Sequence, residues 1–350
     1  MQERKKDIVW LDYARFLGIF LVIFGHALQR IPDWQSVALF KGTYDYIYLF
    51  HMPVFFVISG YLFSNNQLEK LYRGVKILYS LVLPYLLYQL LYLPVATWSY
   101  RHHAFQELLP KLLWGILAGD GYETPFSLPV CLPCWFLISI IQLRVLFLLV
   151  PINKITSIGL ALFSVVFLVV RRYYSFDIYF CIDSTIMAIP YFLFGHYMRT
   201  WFEKIERKSS RWHIVGIIVT GLIVWLALQY NGAAQMNGPG YGRNILFNYL
   251  AGCSGSIMVS LIAVLMAKSR GANEYIRRIS RNTLFIIFSH WILLVILGQV
   301  LQKLFINIPI VNLTLMVLTS VVILYLSDLL IRLLGERVPI LFGKLKYNKA

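Results

Sequence analysis

Apolar residues run along this chain in long blocks with almost no charge inside them, and short basic clusters separate the blocks. FLGIFLVIFGHAL, VPINKITSIGLALFSVVFLVV, WHIVGIIVTGLIVWLAL and LTLMVLTSVVILYLSDLLIRLL approach the roughly 20 residues that a helix needs to cross a hydrocarbon slab. Helix is the backbone expected there, because lipid offers no water to pair a free amide. The pattern predicts ten spans, at 8–30, 44–63, 77–98, 133–151, 156–172, 182–200, 212–230, 245–267, 282–303 and 309–334. The fold class expected is therefore an all-α integral membrane protein, with one membrane-embedded domain over residues 1–350. Residues 99–132 are too interrupted to span and predict an outer-face loop with a re-entrant or interfacial helix. Residues 231–244, NGAAQMNGPGYGRN, predict a flexible outer loop; their glycines lack the preceding strand of a phosphate cradle.

Composition agrees: 59% of the 350 residues are hydrophobic and 14% charged, well outside the mix of a soluble domain. A net charge of +16 would suit nucleic acid if it were contiguous, but it is scattered between the spans and reads as topology. The ten-span scheme puts about 22 Lys and Arg on the cytoplasmic side and about 8 outside, with both termini cytoplasmic. Met1 to Asp7 is basic and carries no small-residue cleavage site, so it reads as part of a retained anchor. No nucleic-acid partner is expected; the lipid bilayer is. Four cysteines are too few for a disulfide scaffold. Cys131 and Cys134 form a lone C-x-x-C, expected to be incidental small residues or one outer-face disulfide, and no metal site is expected.

Against this background the ionisable residues inside spans stand out, since each costs on the order of 3 kcal/mol to insert. Arg15 and His26 are eleven positions apart, about three helical turns, and project from one face about 16 Å apart along the axis. Asp12, one turn before Arg15, is placed to pair with it. The second expected span holds His51 at a depth like that of His26, with Pro53 to bend the helix and Ser59 and Gly60 to permit close packing. Lys70, Arg73 and Lys76 cluster at the cytoplasmic mouth of the third span, where an anionic ligand would arrive or a plain topology signal would sit. Asp183 and Arg144 are expected to pair structurally, His290 to make a polar helix contact, and Asp328 to reach water.

The D-x-x-R-x(10)-H of Asp12, Arg15 and His26, together with FHMPVFFVISGYLF, resembles the membrane-bound acyltransferase-3 family, and within it the fucose 4-O-acetylase-like and polysaccharide O-acetyltransferases. RGVKILYSLVLPY resembles that family's third-span block, although Lys76 stands where many members have a second Arg. CWFL with Trp135, DSTIMAIPYFLFGH with Asp183, and RNTLFIIFSH with His290 resemble later blocks. The appended extracytoplasmic hydrolase-like domain of some members is not seen in this sequence. The resemblance implies acetyl-CoA as cytoplasmic acyl donor, a glycan or lipid-linked sugar as acceptor, and residence in the bacterial cytoplasmic membrane. A homo-oligomer is compatible with the sequence.

Acyl transfer from a thioester to a hydroxyl needs a base and a partner for the oxyanion. His26 is expected to deprotonate the acceptor or to carry the acyl group transiently, with His51 assisting. Arg15 would hold the donor, Arg73 and Lys76 its anionic nucleotide end, and Asp12, Trp135, Asp183 and His290 would support the site. Succinyl or other acyl transfer is the alternative within the class. A transporter or glycan flippase is the alternative outside it and would show paired halves, which the sequence lacks.

Overall fold

Eight of the ten expected spans form helices long and apolar enough to cross a membrane. The computed structural model describes residues 8–63, 70–174, 178–238 and 240–345, without the side chains of Lys70, Leu71 and Arg73. Helix α1 (Val9–Leu28) is the hub of the bundle. It packs against α12 (Ile245–Arg270), α13 (Glu274–Arg281), α14 (Thr283–Leu301) and α15 (Pro309–Leu334). Outside it lie α7 (Trp135–Leu149), α8 (Lys154–Tyr173) and α11 (Ser210–Asn231). No strand occurs among the described residues.

Two expected spans differ. The second is broken into α2 (Ala38–Tyr48) and α3 (His51–Tyr61), with Leu49 and Phe50 between them. Pro53 supplies the reason: its ring excludes the carbonyl four residues earlier, that of Leu49, so it fits only the first turn of a new helix. The sixth divides into α9 (Ile182–Tyr197), too short by itself for a full hydrocarbon crossing, and α10 (Arg199–Glu206). In the third span, α4 (Lys70–Ile77) reaches α5 (Leu83–Ser99) through a π-turn over Leu78–Val82, just before Pro84. Helix α6 (Phe105–Ala118) does not cross; it packs along α5, and the Tyr85 hydroxyl donates to the Ile116 carbonyl at 2.5 Å. Residues 99–132 thus enter the bundle and turn back within it.

Helices α3 and α9 approach at backbone distance. A Cβ added to Gly60 would stand 1.9 Å from the Phe192 carbonyl oxygen, and one added to Gly195 would stand 2.0 Å from that of Val57. Small residues at such crossings let van der Waals packing hold helices together where lipid gives no hydrophobic drive. At the basic end a 3-10 turn, Pro339–Phe342, folds back under α5 and α14, stacking Phe342 on Phe285 at 4.6 Å.

Two expectations about polar side chains are corrected. Asp328 is buried, not wet, and is held by Arg278 (3.0 Å) and Arg332 (2.9 Å). Arg144 does not meet Asp183; its Nη2 donates to Ser59 Oγ at 3.1 Å, whereas Asp183, in the first turn of α9, accepts from the Tyr241 hydroxyl at 3.3 Å. Cys131 and Cys134, expected to be incidental small residues or a disulfide, are free, buried thiols packed against each other beside Tyr88 and Gln89.

Candidate active site

Arg15 and His26 both face the α13–α14 segment. Arg281 at its start is close enough to Arg15 to interact electrostatically, as is Asp12. Asp12 nevertheless forms no ion pair with Arg15; it accepts a hydrogen bond from Ser280 Oγ at 2.7 Å. The Arg15 guanidinium donates a hydrogen bond to no other described residue. Lys344, brought in by the 3-10 turn, donates to Asn282 Oδ1 at 2.9 Å. Burial, and after it the Arg281 charge, pull the Lys344 ammonium below its ordinary value. The basic end of this face therefore collects Arg15, Arg281 and Lys344.

Between Arg15 and His26 the same face is apolar. Gly18 leaves room for the Phe55 ring, which an added Cβ would meet at 2.9 Å, and Ile19 and Val22 are buried. Above this collar the imidazoles gather. The rings of His26 and His290 are 5.5 Å apart, and Tyr48 stands between His26 (6.3 Å) and His51 (4.4 Å). The broken second span makes this possible, because ending α2 at Tyr48 and restarting at His51 turns both side chains into the bundle. Gly25 admits the Tyr48 ring against α1.

Hydrogen bonds set the tautomers. With Gln29 Nε2 assigned as donor to the Tyr44 hydroxyl at 2.9 Å, Gln29 Oε1 faces His26 Nδ1 at 3.1 Å, an arrangement in which that nitrogen donates and the Tyr48 hydroxyl, at 3.4 Å, can accept from it as well. His51 Nδ1 donates to the Ile47 carbonyl at 3.1 Å and His290 Nδ1 to that of Ile286 at 2.9 Å. Each ring thus keeps its proton on Nδ1 and leaves Nε2 as a bare acceptor. No described residue hydrogen-bonds any of the three Nε2 atoms, and that of His290 is fully buried. The half-buried His26 lies between the other two, which are 4% and 0% exposed.

Other sequence-selected residues fall elsewhere. Trp135 begins α7 and packs against Gly121 and Phe136. Asp183 accepts from the Ser184 amide at 2.8 Å and the Tyr241 hydroxyl at 3.3 Å. Its charge adds to burial in raising the neighbouring Asp120 carboxyl above the usual range. No described contact joins Trp135 or Asp183 to the imidazoles. Lys76 is exposed on α4 without a described contact to Arg15, and the Arg73 side chain lies outside the described residues. Sequence reasoning passed over Gln29, Arg30, Tyr44, Tyr48 and Trp291. Gln29 and Arg30 sit three and four positions after His26, a spacing that places them beside it.

A profile described as an acyltransferase domain, that of the acyltransferase-3 family, matches residues 8–332. The chain belongs to the acyltransferase-3 family. Nodulation protein NolL of Mesorhizobium japonicum is 41% identical over 104 residues, 29% of this chain and 21% of that protein. Nodulation protein NolL of Sinorhizobium fredii is 38% identical over 65 residues, 18% of each chain. The alignments span about a fifth of these curated relatives. No solved structure matches the chain. Among the described residues, no three His, Cys, Asp or Glu side chains are grouped to hold a metal ion.

Proposed function

We propose that this acyltransferase-3 protein moves an acetyl group from cytoplasmic acetyl-CoA to a hydroxyl of a cell-surface or lipid-linked glycan in the bacterial cytoplasmic membrane. The observation that carries the reading is the trio of inward-facing imidazoles, each with an unpaired Nε2. A buried acceptor without a donor, as His290 Nε2 is, is unfavourable by about 1–3 kcal/mol, and a polyhydroxy ligand would supply O–H groups to all three rings. In this reading His26 Nε2 accepts the proton of the sugar hydroxyl as its oxygen attacks the thioester carbonyl carbon. The C–O bond forms, the C–S bond breaks, and the thiolate takes the proton back from the imidazolium. Gln29 holds the ring in the competent tautomer, while His51 and His290 orient the sugar.

The donor would enter at the basic end. Arg15 supports the thioester arm, with Arg281, Lys344, Arg73 and Lys76 offering positive charge to the nucleotide phosphates. The apolar collar suits the slender pantetheine arm, which can place the thioester at His26 while the phosphates stay below. The test is His26→Ala in membranes where insertion and abundance match the wild type, followed by radiolabelled acetyl transfer to glycan. The expected loss is on the order of 10²–10⁴; retained transfer refutes the assignment.

A further inference from the structure

Arg30 follows the C-terminus of α1, one turn outward from His26. An arginine near the end of a span normally extends its head away from the hydrocarbon to the headgroups. Arg30 does the opposite. Its stem passes Gly298 of α14, where an added Cβ would lie 3.9 Å from Arg30 Cδ, and its guanidinium rests over the Trp291 ring at 5.0 Å. The same ring also meets His26, edge-on at 5.2 Å. Nη2 is buried and has no hydrogen-bond partner, and no carboxylate among the described residues pairs with Arg30. A guanidinium turned inward against an aromatic face, with a bare N–H beside the reacting centre, is organised for an anion. It stands on the outward side of His26, opposite the Arg15 cluster, so the anion belongs to the acceptor and not to the donor nucleotide. Trp291 thus borders both groups, its ring centroid 5.0 Å from the guanidinium and 5.2 Å from the imidazole.

Resting on the acyl-transfer reading above, we propose that Arg30 is an acceptor-recognition residue. It binds a carboxylate or phosphate carried by the acceptor next to the hydroxyl that His26 deprotonates. Both anions offer a guanidinium the same paired oxygens, and two sources supply them: an acidic sugar, or the phosphate linking a sugar to a lipid.

Binding by the purified full chain in detergent tests this with two matched probe pairs, methyl glucuronide against methyl glucoside and farnesyl phosphate against farnesol. The wild type is expected to bind the anionic member of one pair about tenfold or more tighter. Preference for the glucuronide assigns the carboxylate, and preference for farnesyl phosphate assigns the lipid phosphate. Arg30→Gln should abolish that preference without weakening the neutral probe, and Arg30→Lys should restore part of it. No preference in the wild type, or one that survives in Arg30→Gln, overturns the proposal. Because binding needs no turnover, absence of acyl transfer by the wild type would sink the proposed function alone and leave an Arg30-dependent anion preference standing.

Discussion

Gly25→Ala separates the geometry of the imidazole cluster from the stability of the bundle. The added Cβ would stand 2.9 Å from Tyr48 Cε2, whereas carbon atoms rest at about 3.5–4.0 Å. The Tyr48 ring must therefore move by about 0.5–1 Å. It has little room, being stacked on Tyr44 with centroids 3.7 Å apart and packed on His51 at 4.4 Å. The push reaches His51 directly and His26 through the Tyr48 hydroxyl, 3.4 Å from its Nδ1. Overpacking of this kind costs about 1–3 kcal/mol, which a bundle of this size should survive folded. A displacement near 1 Å at reacting groups costs up to about 10²-fold in rate. The expected result is a modest fall in the detergent unfolding temperature with a 10- to 100-fold loss of acetyl transfer, and donor affinity at the Arg15 end unchanged. Gly159→Ala is the control, because nothing lies within 4 Å of its added Cβ; it should be neutral or slightly stabilising. Wild-type transfer rates in a folded Gly25→Ala protein would refute the role given to the Tyr48 wedge.

Gly60→Ala should damage the fold itself. A Cβ 1.9 Å from a carbonyl oxygen on rigid α9 forces the helices apart, at 3 kcal/mol or about that, and loss of membrane-inserted protein or a large drop in unfolding temperature checks it. Asp120→Asn should stabilise, increasingly so with pH. Burial raises the Asp120 carboxyl in the folded chain, so its contribution is fully present below the ordinary carboxyl range and lost as pH rises through the raised value. Asparagine does not ionise, and it can still accept from the Cys181 amide as Asp120 does at 3.2 Å. Unfolding temperatures measured from pH 4 to pH 8 should show the variant gaining on the wild type; a constant gap would contradict the burial argument.

The hydrophobic blocks located all eight described helices of membrane-spanning length, because lipid imposes one length and one backbone solution, but not the short helices α4, α10 and α13. They failed where a local rule intervened. Pro53 broke a stretch that remained apolar on both sides of the break, so hydropathy ran across it while the helix did not. The Arg15–His26 face was legible from a spacing of eleven, which needs only helical geometry. The choice of partner for Asp12 was not, since Ser280 is distant in sequence and only tertiary packing brings it closer than Arg15. His290 was legible as a polar residue in a span but not as a neighbour of His26, for the same reason. Arg30 was readable in principle from its helical spacing to His26, but its position at a span end gave it the look of an interfacial anchor.

The collar of Gly18, Ile19, Val22 and Phe55 has a bearing on the cell's energy supply. An enzyme that joins two aqueous compartments through one protein risks short-circuiting the ion gradient across the membrane. A charge placed in this apolar, packed stretch costs several kcal/mol, a penalty that a neutral acyl thioester arm does not incur. On the proposed reading, a neutral acyl group would pass this stretch while metal cations are held back by the cost of shedding their water.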